Sequence, residues 1–263
     1  MFEMACASYD TIWWGFIGRQ VPALAGFGDT ATLSRQANGT LALADDNWAF
    51  KPDGTREHLF GASDLAASST SPLKLEYQRT VEFEGLKTFR ISTFSQGETK
   101  AEFVNNLYFA DGQGTSRTYD LMHHCMFGAP TLTDDLPTTG SATFTPAFAD
   151  AGGDGATGFA IDPARSSINV DYSASTVSFT LQFIKLGRTA AENTDVALHS
   201  GSGTIDKAKR QVSGTLTNAT SPDISWKLSG WFFGPGGKEL AFAVAASDFG
   251  SHIQGGTVIA LRQ

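Results

Sequence analysis

LPTTGSATFTPAF at residues 136–148 and GWFFGPGGKEL at 230–240 bracket the part of the chain whose reading decides the fold. Between them apolar side chains alternate with polar ones. Ile168, Val170 and Tyr172 fall on one face, Ser173-Ala174-Ser175 reads as a turn, and Val177, Phe179, Leu181 and Phe183 return on one face. A period of two on both arms is the signature of a half-buried hairpin. Gly203 and Ile205 lead into a polar tip, Asp206-Lys207-Ala208-Lys209, and Val212, Gly214 and Leu216 come back. In the next pair Ile224, Trp226, Leu228 and Phe232 alternate, Gly234-Pro235-Gly236-Gly237 turns the chain, and Leu240, Phe242, Val244 and Ala246 alternate again. With Ala142–Phe148, Thr157–Ile161 and a last strand at Gly256–Arg262, this makes about eight or nine short antiparallel strands and no stretch of helical period.

Successive hairpins in this number leave exposed edges unless the sheet closes, so the expectation is an eight-stranded antiparallel up-and-down β-barrel, with a sandwich as the competing architecture. An eight-stranded barrel is just wide enough for side chains to fill it, which assigns Phe144, Phe179, Phe183, Trp226 and Phe232 to its core. Residues 129–140 hold two prolines and no apolar period, and the boundary is set there. Upstream, Leu73, Leu75 and Tyr77 face Leu86, Phe89 and Ile91 across a turn at Glu84-Gly85, and an extended stretch runs from Ala101 to Phe109. Residues 62–72 read as a Ser/Thr/Ala loop, and residues 10–60, with Trp13, Trp14 and Trp48, as β-rich with longer connections. The whole chain is therefore expected to be all-β: a β-rich part at 1–130 followed by a barrel at 131–263.

Composition supports this class and narrows the partners. Among 263 residues there are 28 glycines and 20 phenylalanines, which suits many short strands with tight turns and an aromatic core. A net charge of -8 and a pI near 5.0 argue against nucleic acid, because phosphate recognition needs a basic face. The Lys207, Lys209, Arg210 group is read as a hairpin tip. No apolar run is long enough for a membrane-spanning helix, and MFEMACASYD lacks the basic and apolar regions of a signal peptide, so an export signal is expected to have been removed. The two cysteines, Cys6 and Cys125, leave three alternatives: a disulfide, two free thiols, or lipid attachment at Cys6.

The bracketing stretches resemble the barrel domain of the transferrin-binding protein B-like family. Its opening pattern Leu-Pro-x-x-Gly-x-Ala-x-Tyr/Phe falls on Leu136, Pro137, Gly140, Ala142 and Phe144. Its late pattern Gly-x-Phe-Tyr/Phe-Gly-Pro-x-x-x-Glu falls on Gly230, Phe232, Phe233, Gly234, Pro235 and Glu239. Ala241-Phe242 stands where members of the family often have Gly-Gly. The resemblance covers about residues 136–263. It implies a binding protein exported by a Gram-negative bacterium, surface-anchored as a lipoprotein or released, with a variable N-terminal handle that chooses the ligand.

One segment concentrates metal-philic side chains. Tyr119-Asp-Leu-Met-His-His-Cys-Met-Phe127 holds Met122, His123, His124, Cys125 and Met126 just before the linker. In a strand His123 and His124 point to opposite faces, so one of the two reaches a given metal. Haem carriers of the hemophilin kind share this two-part layout, and by that resemblance His123 or His124 is the candidate axial ligand of a haem iron, with Met122 and Tyr119 beside it. The plainer reading keeps both histidines as ordinary strand residues and Met122 and Met126 as packing. The partners expected are then haem or a similar small nutrient, or a protein gripped by the N-terminal loops, together with an outer-membrane TonB-dependent receptor or exporter. His58, His199 and His252 lie in turn-rich sequence and are read as exposed. Asp45-Asp46 and Asp134-Asp135 are read as loop carboxylates, Gly152-Gly153-Asp154-Gly155 as a loop, and no hydrolase or zinc-protease motif is present, so no enzyme is expected.

Overall fold

The alternating pattern of the second half is realised as strands that close on themselves. The computed structural model describes residues 2–14, 17–20, 23–25, 31–45, 56–65, 74–82, 86–94, 101–114, 119–153, 159–187, 189–218, 220–246 and 253–263. The first half contains β1 (Phe2–Trp14), β2 (Ile17–Gln20), β3 (Ala23–Ala25), β4 (Ala31–Arg35), β5 (Leu41–Asp45), β6 (Arg56–Phe60), β7 (Lys74–Glu82), β8 (Leu86–Phe94), β9 (Val104–Gly114) and β10 (Tyr119–Gly128). The second half contains β11 (Ser141–Gly153), β12 (Phe159–Ile161), β13 (Ser167–Asp171), β14 (Thr176–Lys185), β15 (Thr194–Asp206), β16 (Gln211–Asn218), β17 (Ser221–Phe233), β18 (Glu239–Ala246) and β19 (Ile253–Arg262). Only short 3-10 turns interrupt them among the described residues.

β11 and β13 through β19 pair in order, and β11 pairs back onto β19, which closes an eight-stranded antiparallel barrel. Short β12 spans β11 and β14 beyond the end of β13. Closure removes every edge, which is the physical reason so many consecutive hairpins stop here. The interior is filled: Phe144, Phe159, Ile168, Tyr172, Phe179, Leu181, Phe183, Leu216, Trp226, Phe232 and Phe242 form one buried cluster. Phe179 meets Phe242 edge-on at 5.5 Å between centroids, and Phe183 stacks on Trp226 at 5.9 Å. The five aromatics assigned to the core from their alternation all lie in it.

His199 corrects its reading as an exposed residue. It pairs with Leu181 across β14 and β15, so alternation turns it inward, and its ring lies 4.8 Å from Trp226 and 5.4 Å from Phe183. The inward position on β15 overrides the polar character of its neighbours. Gly152-Gly153 also proves to end β11 rather than sit in a loop, and Asp45 ends β5 opposite Arg56. His58 lies within β6, and its side chain, like Asp46, Trp48, His252, Asp154-Gly155, the Glu84-Gly85 turn and most of the 62–72 loop, is outside the described residues.

The first half folds as an open antiparallel sheet in the order β6-β5-β4-β1-β10-β9-β8-β7. The expected hairpin is β7 against β8, with Tyr77 opposite Ile91. β1 is the centre of this sheet: one edge pairs with β10 from Met4↔Phe127 to Ile12↔Tyr119, and the other is shared in turn by β4, β3 and β2. Each remaining pair is a hairpin between successive strands. The chain leaves this sheet at Gly128 and begins the barrel at Ser141.

Candidate functional site

The two bracketing stretches, far apart in sequence, meet in space at one end of the barrel. The linker between the sheets runs past them. Pro130 makes a single bridge to Phe233, the Thr131 N–H donates to the Phe232 carbonyl at 2.9 Å, and the Thr131 hydroxyl donates to the Gly234 carbonyl at 2.7 Å. Asp135 Oδ2 accepts the Gly236 N–H at 2.7 Å, and Leu136 packs on Gly237 and closes this end of the core. From the other side, the β15–β16 tip clips the linker: Lys207 Nζ donates to the Thr138 carbonyl at 3.0 Å and Arg210 Nη1 to the Thr131 carbonyl at 2.9 Å. The basic group read as a hairpin tip is a tip, and two of its cations are used to hold the linker.

Glu239, the last residue of the late pattern, joins the two sheets. It is 3% exposed, and its carboxylate accepts the backbone N–H groups of three successive residues at the start of β9: Glu102 and Phe103 (at 3.0 Å) just before it and Val104 (at 2.9 Å) as its first residue. The segment that presents them is held from behind, since Ala129 donates to the Phe103 carbonyl at 2.9 Å and Gly234 to the Ala129 carbonyl at 3.0 Å. Gly234, at φ 72°, sits under the Phe103 ring where any Cβ would collide with it. Burial pushes the Glu239 carboxyl above its ordinary 4.5, against the pull of the three N–H donors and with Glu102 adding like charge.

Apolar packing completes the joint. Ala101, Val104 and Met126 of the first sheet lie in one buried cluster with Trp231, Phe233, Ala241, Ala243 and Ile259 on the outside of the barrel, with Phe103, Phe148 and Leu261 packed against it. β18 explains how the sheets approach so closely. Its inward positions carry Leu240, Phe242 and Val244, its outward ones Ala241, Ala243 and Ala245, and every residue of the strand is buried. The uninterrupted apolar run after Glu239 is the mark of a strand covered on both faces, a signal that reading one alternating face passes over.

The Met-His-His-Cys segment lies on β10, beside this joint. Alternation puts His124 on the same face as Met126, toward the barrel, and His124 is 2% exposed. Its register partners are Ala7 and Tyr108. The backbone of His123 lies opposite Ser8 and Phe109, that of Met122 opposite Tyr9 and Ala110, and that of Tyr119 opposite Ile12; their side chains are outside the described residues. Cys125 lies directly opposite Cys6, and the two are joined as a disulfide across β1 and β10 with 4.1 Å between Cα atoms. Among the described residues no three metal-ligating side chains converge, and no helix is long and apolar enough to cross a membrane. Of the candidate set, the described side chains are thus His124, buried on the barrel-facing side of β10, and Cys6 and Cys125, joined in a disulfide.

An open sheet packed through a buried carboxylate and an alanine face onto a closed barrel with a buried aromatic core makes a two-sheet β-protein. Its fold is that of transferrin-binding protein B-like barrel proteins. A double-mutant form of Transferrin Binding Protein B from Haemophilus parasuis Hp5 superposes with a TM-score of 0.50 at 15% identity, over 98% of this chain and 44% of that one. A mutant form from Actinobacillus pleuropneumoniae H49 aligns over 99% of both chains at 12% identity and a TM-score of 0.43. The chain spans less than half the length of the Haemophilus parasuis chains it aligns with. Neither family models nor curated proteins gave a match to the sequence.

Proposed function

We propose that this chain is an exported bacterial surface-binding protein for iron nutrition, in which residues 1–130 form the handle that recognises a partner protein and residues 131–263 the barrel that supports it. The observation that carries this reading is the filled barrel. A carrier that holds its ligand inside the barrel needs a cavity there, and here buried aromatic and aliphatic side chains cluster in that interior. Recognition then belongs on the outer surface, where the handle contributes its connecting loops. The fold likeness to proteins named for transferrin binding supports an iron-carrying host protein as the partner. The Cys6–Cys125 disulfide fits an oxidising, exported location. In this reading the captured iron passes to an outer-membrane TonB-dependent receptor.

A second reading keeps haem as the ligand, because one imidazole, His124, lies on the barrel-facing side of the handle next to Met126. Haem there requires the joint to open, since His124 is closed off from solvent. One experiment separates the two: the purified protein is titrated with hemin and, in parallel, passed over immobilised iron-loaded transferrins from several hosts. Saturable transferrin binding with no Soret shift supports the first reading. A Soret shift lost in His124→Ala or His123→Ala, without transferrin binding, replaces it by the second.

A further inference from the structure

We infer that the Cys6–Cys125 disulfide is an assembly switch for the handle: with both residues as thiols β1–β6 is not held on β10, and oxidation locks the two halves of the sheet together. The inference is independent of which ligand the handle takes. It rests on the topology. Among the described residues every strand pair of the handle lies within 2–60 or within 74–128, except β1 with β10. Its cysteines are 119 residues apart in sequence, whereas the other pairs are hairpins or join β1 to strands within the first 35 residues. Closing so long a loop costs more chain entropy than closing a hairpin, so β1–β10 is the strand pairing least able to form unaided, and without it β1 and β3 keep, outside their own half of the sheet, only their packing on β17–β19 of the barrel. The bond sits directly on it, between residues that face each other in register.

The barrel does not share this dependence. All its pairings between strands fall within residues 141–262, and it has its own core. Both sulfur-bearing residues are buried, Cys6 at 0% and Cys125 at 1% exposed, so a disulfide once formed is shielded from exchange and the switch runs in one direction. The oxidant required is a dithiol-accepting disulfide, such as oxidised glutathione or a thiol oxidase. One cysteine thiolate attacks it and expels a thiolate, and the second cysteine then displaces the other. The protein loses two electrons and two protons, and the donor disulfide becomes two thiols.

Hydrogen exchange read by mass spectrometry tests this on the full chain. The protein is reduced in mild denaturant, returned to buffer with reductant present, and compared with the oxidised form and with Cys6→Ser/Cys125→Ser. Amides of β1–β6 are expected to exchange up to roughly a thousandfold faster in the reduced protein, with β11–β19 unchanged, and oxidised glutathione is expected to restore protection. Should the double variant not fold, the reduced wild-type chain gives the same readout. Protection of β1–β6 that stays within about threefold of the oxidised value, or loss of barrel protection along with the handle, overturns the inference.

Discussion

Glu239→Ala removes the acceptor of three backbone N–H groups at once, and its cost can be worked from their surroundings. The Val104 bond is buried, while those of Glu102 and Phe103 are partly open to water. A buried N–H left without an acceptor costs about 1–3 kcal/mol, and one that regains water about 0.5–1.5 kcal/mol. Deleting a carboxylate whose burial opposes its own charge returns part of this. The net expectation is a loss of about 2–4 kcal/mol. Glu239→Gln keeps one carbonyl oxygen as acceptor but turns an amide N–H toward a backbone donor, and is expected to cost about half as much. Urea denaturation gives the stability, and limited proteolysis across residues 129–140 reports whether the handle stays docked. A loss under about 1 kcal/mol with unchanged protease resistance refutes the reasoning, since the apolar cluster alone would then hold the joint.

The same residue predicts a pH dependence. Its carboxyl is raised in the folded state, so the folded protein binds that proton more tightly than the unfolded chain does. Wild type therefore gains stability relative to Glu239→Gln as pH falls from 7 through the raised value toward 4.5, and parallel urea titrations at pH 7 and 5 measure it; a change of opposite sign means that the N–H bonds outweigh burial. Trp226→Ala, at the centre of the Phe183 and His199 contacts, is expected to cost about 3–5 kcal/mol by thermal or chemical denaturation. Gly201→Val would press its side chain onto the Thr215 backbone of β16 and is expected to cost about 3 kcal/mol or more, whereas Gly39→Ala, with open space around it, should cost little beyond the strain of its positive φ.

The barrel was legible because period-two alternation and turn chemistry are local signals, and each hairpin obeys them. The Asp206–Lys209 tip lies within a residue of the observed turn at 207–210 and Gly234–Gly237 turns as read, and Ser175 and Arg210 take the positive φ that tight turns demand. What escaped was set by a third partner. His199 is polar in a polar neighbourhood, and only its place opposite Leu181 turns it inward. The alanines of β18 look like weak strand residues until another sheet lies on them. The Cys6–Cys125 disulfide was among the alternatives the sequence offered, but choosing it required knowing that β1 meets β10, and no short-range pattern encodes that register.

The late pattern has a double role that follows from this geometry. Gly230 and Phe232 in GWFFGPGGKEL are explained by folding within the barrel, but Gly234 and Glu239 are not, and a carboxylate at a strand start normally seeks water. Glu239 is buried because the handle brings three N–H groups to it, and Gly234 is bare because Phe103 lies on it. The pattern therefore encodes the attachment of a handle as well as the closing of a barrel. In such a design the handle's loops can vary while Glu239, Gly234 and the alanine face stay fixed, provided the handle still offers the backbone of residues 102–104 and a small apolar patch. Side-chain identity in that segment matters less than its backbone path, so substitutions at Glu102 are expected to be far milder than those at Glu239.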